Sequence, residues 1–364
     1  MKIAKVESWL VEIPFHEPGR GVGITPSAWR SLETVLVRVE DEDGNVGWGE
    51  GFAYFCADAT KAMVDQRVAP LTVGQVIDDV RVWNLGVQRA LHLFGRYGIT
   101  LYAISGVDMA LWDLKAKRAG LPLAAYLMDG PLRRDIDAYA SLVRYHDPEL
   151  VAQSSLRAVS EGYRELKLHE ITLELVEASR EAVGELVPLS VDVNCAWDEA
   201  FSRRAIPKLL ELGVIWLEEP IFPPEDFATL ARLSGLGLPI AAGENWCTRW
   251  QFEAAIAAGA ADCLQPSVTK IGGIHEYLAV IMAASANLQR VVPHCPYYGP
   301  GLYATLQLAA AYEVVGPIEV LYVDREAELA PLGGLTEGGR IRVPEGLGLG
   351  FEPNLDVIGR YRRA

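Results

Sequence analysis

Apolar and polar positions follow two different rhythms along this chain. Residues 3–13 are rich in Val and Ile, and residues 34–40 (Thr-Val-Leu-Val-Arg-Val-Glu) alternate, the period-2 signature of strands. Asp43-Gly44 offers a tight turn into a further strand over 46–50. Residues 58–119 read as helices. The clearest, 103–119, carries Ile104, Val107, Met109, Ala110, Leu111 and Leu114 at helical spacings and stops at Gly120-Leu-Pro. An α+β domain is expected over residues 1–125.

From about residue 135 short apolar runs alternate with amphipathic stretches. Strands are expected near 137–142, 164–169, 189–194, 214–218, 239–244, 262–266, 290–294 and 318–322. Such alternation implies parallel pairing through helical crossovers. Eight units within residues 126–330 fit an α/β fold, a (β/α)8 TIM barrel, with the eighth helix the least marked. The Gly-rich tail, 331–364, reads as loop that could fold back on the first domain.

Composition narrows the function. Lys and Arg total 33 against 48 Asp and Glu, a net charge of −15, so a basic nucleic-acid footprint is absent. Five scattered Cys, odd in number and without Cys-x-x-Cys, do not make a disulfide framework, and a reducing cytoplasm is the expected home. The opening Met-Lys-Ile-Ala-Lys-Val-Glu lacks an apolar signal core, and no run approaches the about 18 apolar residues of a membrane span.

Polar residues recur at the ends of the expected strands. Lys167, Asp192, Glu218, Glu244, Ser267, His294 and Glu319 follow one another at intervals of 25, 26, 26, 23, 27 and 25 residues, one βα unit per step. In a barrel these ends converge on one mouth. Asp192, Glu218 and Glu244 come from three consecutive strands. Three carboxylates facing one point repel unless a cation joins them, and hard oxygen ligands suit Mg²⁺. Lys167 and His169, two residues apart, share a strand face on one side of that site, and His294 arrives from the other side.

The segments Glu-Leu-Lys-Leu-His (165–169), Val-Asp-Val-Asn (191–194), Trp-Leu-Glu-Glu-Pro (216–220), Gly-Glu-Asn-Trp (243–246), Lys-Ile-Gly-Gly (270–273) and Pro-His (293–294) together resemble the enolase superfamily, most closely its mandelate racemase group. So do Trp48-Gly-Glu-Gly-Phe and the stretch Ser105-Gly-Val-Asp-Met-Ala-Leu-Trp-Asp-Leu-Lys. The resemblance implies a modified, (β/α)7β-like barrel under an α+β capping domain that the C-terminal tail completes. It implies Mg²⁺ on Asp192, Glu218 and Glu244, with Glu219 behind them. Asn194 would touch substrate. Glu319 would hydrogen-bond the substrate carboxylate as a protonated donor, or else support its neighbours. His16, in Pro14-Phe-His-Glu-Pro-Gly, falls where such proteins carry a lid loop and would touch substrate from there.

The implied chemistry is removal of a proton α to a carboxylate, with Lys167 and the metal stabilising the charge that develops. Two departures from the group's pattern stand out. The usual Lys-x-Lys is Lys167-Leu-His169, which makes His169 the leading base. The Asp that normally orients the second-face His is replaced by Ser267, which can hydrogen-bond the ring of His294 but adds no charge. Lys270 would stand behind the reacting groups, and Cys195 and Cys295 would be small fillers. The leading expectation is a Mg²⁺-dependent dehydratase converting a sugar acid to a 2-keto-3-deoxy acid. His294 would serve as acid or second base, with Tyr297 and Tyr298 adding polarity to the pocket. The alternatives are a two-base racemase or epimerase and a non-catalytic barrel that binds metal and carboxylate. The partner is a small carboxylate, with neither nucleic acid nor membrane, and the resemblance points to a homo-oligomer, an octamer being one form.

Overall fold

The structure is a computed structural model and describes residues 1–19, 28–336 and 338–363. The N-terminal alternation forms three antiparallel strands, β1 (Ile3–His16), β2 (Ser31–Asp41) and β3 (Val46–Gly51), with Gly44 at φ 81° in the turn between the last two. Helix Ile99–Arg118 lies across this sheet and begins a turn earlier than its sequence pattern predicts. It is buried almost all round, Ile104, Val107, Ala110 and Leu111 being inaccessible to solvent. The approach is backbone to backbone. A Cβ at Gly47 or Gly49 would meet Ala110 O or Gly106 O at 2.0 Å, which accounts for the glycines of the Trp48-Gly-Glu-Gly-Phe segment.

The second rhythm forms eight parallel strands: β4 (Asp135–Leu142), β5 (Leu166–Leu168), β6 (Leu189–Asp192), β7 (Val214–Glu218), β8 (Ile240–Ala242), β9 (Cys263–Leu264), β10 (Arg290–Val291) and β11 (Ile318–Tyr322). They pair in sequence order, β11 returns to β4, and a parallel bridge between Val291 and Val315 joins the remaining edges. Seven helices, from Pro148–Ser160 to Pro300–Ala311, fill the connections between successive strands. No helix directly follows β11: the chain passes instead into Asp324–Arg325, which pairs with β1 of the cap. The barrel is therefore of the (β/α)7β kind.

Most barrel strands are shorter than the apolar runs suggest. His169, Asn194, Glu244, Ser267 and His294 all lie just past a strand end. The ladders stop because the backbone turns sharply there. Asn194, Cys195 and Glu219 have φ of 46°, 59° and 42°, and Gly243 has 139°. Left-handed conformations at non-glycine residues cost about 1–3 kcal/mol each and gather at functional sites. Here they aim side chains into the barrel mouth.

The tail is more ordered than its glycines suggest. Arg340–Arg342 pairs antiparallel with β4, helix Leu355–Tyr361 follows, and Arg363 N donates to Leu10 O of β1. Cap, barrel and tail are stitched by acids of the helix Ile99–Arg118. Asp113 accepts from Trp48 N (2.8 Å) and Leu349 N (2.7 Å), while Asp108 accepts from Asn84 Nδ2 (2.8 Å) and His275 N (3.2 Å). Among the described residues no helix is long and apolar enough to cross a membrane.

Candidate active site

Carboxylate oxygens of Asp192, Glu218 and Glu244 lie within 4.8 Å of one another, brought there by the ends of β6, β7 and β8. Asp192 and Glu218 are fully buried. Asp192 accepts from Asn194 N (2.8 Å) through one oxygen, while its Oδ2 is buried without an aligned hydrogen bond. His169 Nε2 stands 3.2 Å from that oxygen. Trp216 Nε1 donates to Glu218 Oε2 (3.3 Å). Three clustered acids, one with an orphaned oxygen, fit a hard divalent cation such as Mg²⁺.

The electrostatics agree. Burial, together with the neighbouring carboxylates, pushes Glu218 and Glu219 well above the usual carboxylate range. Burial acts on Asp192 in the same sense, but His169 and Lys167 outweigh it and hold Asp192 low. The acids cannot all ionise on equal terms without more positive charge than Lys167 supplies.

Lys167 lies beneath the site, fully buried. Its Nζ is 2.8 Å from Glu319 Oε1, 2.9 Å from Glu218 Oε1 and 3.6 Å from Asp192 Oδ2. Glu319 also accepts from Ser141 Oγ (2.7 Å) and Cys295 N (2.8 Å). Burial alone would raise Glu319, but Lys167, His294 and these hydrogen bonds bring it down to about 2. In this arrangement the pairing with Lys167 holds Glu319 low.

Above this floor opens a cavity of about 620 Å³. His169, Asn194, Glu219, Glu244, Lys270, His294 and Glu319 line it; Lys167, Asp192 and Glu218 lie behind its wall. His169 Nδ1 is 2.6 Å from Leu142 O, and His294 Nε2 is 3.3 Å from Glu244 Oε2. The two imidazoles therefore stand beside different members of the acid cluster, on opposite sides. Asn245 links the groups behind Glu244: its Nδ2 donates to Glu219 (2.9 and 3.0 Å) and to Glu244 (3.3 Å), and its Oδ1 accepts from Lys270 Nζ (3.0 Å). Lys270 and Glu219 combine the supporting position expected of them with a place on the cavity wall.

Two expectations change. Ser267 does not bond His294 directly; its hydroxyl pairs with the Tyr297 phenol, which faces His294 Nδ1 at 3.3 Å. His16 closes β1 opposite Asp324 and lines a separate cleft with Glu17, Pro18 and Tyr145, so among the described residues it is not part of the main cavity. The β1 pairing carries it away, because its neighbours Ile13 and Phe15 are anchored in the core. The segment 20–27 that follows lies outside the described residues.

Several wall residues carry no readable motif. Arg144, which donates to His169 O (2.5 Å) and Asn194 Oδ1 (2.9 Å), follows β4 at the mouth, a position the strand register alone could have flagged. Trp29, Phe52, Tyr54, Phe55, Tyr102 and Phe222 add an aromatic wall, five of them from the cap. Of the two cysteines, Cys195 lines the cavity and Cys295 is wholly buried.

Known proteins share this arrangement along the whole chain. Residues 18–128 match the mandelate racemase/muconate lactonizing enzyme N-terminal domain, and residues 149–357 match the enolase C-terminal domain-like family. The D-galactarolactone cycloisomerase of Agrobacterium fabrum is 31% identical, over 100% of this chain and 99% of its own. The arabinonate dehydratase of Saccharolobus solfataricus is also 31% identical, over 91% of each. The solved L-talarate/galactarate dehydratase of Salmonella typhimurium overlays with a TM-score of 0.85 at 26% identity, covering 100% of this chain and 92% of that one. A variant L-talarate/galactarate dehydratase has been solved with Mg and L-glucarate bound. By sequence and by fold, the chain belongs to the mandelate racemase/muconate lactonizing enzyme family of the enolase superfamily.

Proposed function

We propose that this protein is a Mg²⁺-dependent dehydratase of a sugar acid. The observation that carries the reading is His169: its Nδ1 is tied to a carbonyl, which leaves Nε2 as the ring nitrogen facing the three-acid cluster, 3.2 Å from Asp192 Oδ2. Relatives that are acid-sugar dehydratases or cycloisomerases support the same class of substrate.

Asp192, Glu218 and Glu244 would hold the cation, which when bound supplies electrophilic stabilisation to a substrate carboxylate. A carbonyl oxygen only accepts, so Leu142 O fixes the proton of neutral His169 on Nδ1 and leaves a lone pair on Nε2. That nitrogen takes the proton α to the carboxylate. The C–H electron pair becomes the new C=C bond as the β C–O bond breaks, and the hydroxide departs as water with the proton returned from Nε2. The resulting enol becomes a 2-keto acid. Lys167 favours the ionised forms of Glu319 and Glu218 and holds both in place beneath the site. Arg144 fixes His169 and Asn194 from above.

The test is a stereochemically complete set of aldonic and aldaric acids offered to the purified protein with Mg²⁺ or with chelator, read for 2-keto acids and by proton NMR in D2O. A Mg²⁺-dependent keto acid from one configuration is expected. Deuterium entering the α-carbon with inversion and no keto acid would replace this reading with epimerisation. Rearranged lactone alone would replace it with cycloisomerisation, and silence across the set would favour a binding protein.

A further inference from the structure

The two cavity histidines differ at Nδ1, while each points Nε2 at a carboxylate oxygen of the acid cluster, His169 at Asp192 Oδ2 (3.2 Å). His169 Nδ1 faces a carbonyl, as described. His294 has Tyr297 OH at Nδ1 (3.3 Å) and a carboxylate oxygen, Glu244 Oε2, at Nε2 (3.3 Å). The Tyr297 phenol is bonded in turn to Ser267 Oγ, which lies 3.4 Å from Thr269 Oγ1. Tyr297 is 2% exposed, and its ring is boxed by Phe52 and Tyr54 at centroid distances of 6.4 and 6.2 Å.

A hydroxyl chain has no direction until its ends set one. An Asp at position 267 would only accept, drawing every proton toward itself and placing one on Nδ1. With Ser267 there, the strongest acceptor in the chain is the imidazole nitrogen. The strongest donor is the phenol, whose ordinary pKa of about 10 makes it the most acidic hydroxyl present. The favoured order is Ser267 O–H to Tyr297 O, and Tyr297 O–H to His294 Nδ1.

We propose that Tyr297, backed by Ser267, is a positioning residue that fixes neutral His294 with its proton on Nε2, the reverse of the His169 arrangement. His294 then enters the reaction as a hydrogen-bond donor and gives up no proton. The inference rests on the dehydratase reading and sharpens it: one base, His169, both removes and returns the proton. Two-base inversion at the α-carbon is disfavoured.

Nitrogen NMR of the full-length protein with ring-labelled histidine reads the tautomer directly, with and without Mg²⁺ and with no substrate. His294→Asn identifies the signals. The Nε2-protonated form of His294 is expected to predominate by about 3- to 10-fold, the weight of one net hydrogen bond. Tyr297→Phe should weaken that preference while leaving the His169 pattern intact, and should lower kcat with KM held. Ser267→Asp should draw the phenol proton away and move the His294 proton to Nδ1. A wild-type ring protonated on Nδ1 would overturn the proposal without any variant. So would a preference undiminished in Tyr297→Phe. Because the spectrum needs no turnover, failure of the substrate screen and failure of this inference are read separately.

Discussion

Lys167 and Glu319 form an ion pair at 2.8 Å with both side chains at most 2% exposed, at the floor of the cavity. Removing one partner of such a pair strands a buried charge, at a cost of about 3–5 kcal/mol. Lys167→Met also leaves Asp192 and Glu218 without their cation. The variant should unfold at markedly lower denaturant in the metal-free state. The pH dependence has a definite sign. Glu319 sits at about 2 in the fold against an ordinary 4.5, so its contribution is complete above pH 4.5 and fades as pH falls toward 2. Denaturant titrations of wild type and Lys167→Met across that window should converge at the acid end. Parallel curves would remove Glu319 from this role.

A cation held by the acid cluster would make stability depend on metal. A ligand that binds only the folded state adds about 2.7 kcal/mol at 100 times its Kd. Saturating Mg²⁺ should therefore raise the melting temperature of wild type, and Asp192→Asn or Glu244→Gln should reduce that gain. Chelation should abolish turnover reversibly. A melting temperature indifferent to Mg²⁺ in calorimetry would exclude Asp192, Glu218 and Glu244 as its ligands.

The polar residues at strand ends were legible because barrel topology turns a 23–27-residue interval into a shared mouth. Asp192, Glu218 and Glu244 needed only that periodicity to be brought together. What sequence could not supply was depth. Lys167 shares the strand-end spacing of the wall residues, yet it lies under the floor, because the long side chain reaches inward to two carboxylates. Nor does sequence show that a third side chain, Tyr297, separates Ser267 from His294. The loop after β10 has to fold before Tyr297 meets either. The aromatic wall was unreadable for a similar reason. Phe52, Tyr54 and Tyr102 are unremarkable cap residues until the cap closes over the barrel. Pattern did reach the docking acids: Asp108 and Asp113 belong to the stretch that carried the resemblance, and their hydrogen bonds join cap, barrel and tail.

His169 should be indispensable to the proton step and dispensable for metal. General acid–base residues contribute about 10²–10⁴-fold. His169→Asn should lower kcat by that order and suppress α-proton exchange in D2O, with Mg²⁺ affinity by calorimetry little changed. Retained exchange in the variant would transfer the role of base to another cavity residue, such as Lys270.

Glu50 predicts a second pH effect, at the joint between cap and barrel. It projects from β3 and accepts from Gly301 N (2.8 Å) at the start of helix Pro300–Ala311, joining cap to barrel. Burial lifts its carboxyl from 4.5 to about 7, against a lowering by that one hydrogen bond. The fold therefore holds the Glu50 proton more tightly than the unfolded chain does. Stability from this group is full below about pH 4.5, declines as pH rises through 7, and then levels off. A shift of this size corresponds to about 3 kcal/mol. Glu50→Gln keeps the acceptor for Gly301 N and removes the charge, so it should match wild type near pH 5 and exceed it above pH 8. The difference between the two proteins isolates Glu50, since Asp108, which burial raises to about 8, titrates alike in both. Chemical denaturation at intervals between pH 5 and 8.5 measures it. A difference that does not grow with pH would mean that Glu50 is already ionised at the joint and that the helix start, not the proton, carries its charge.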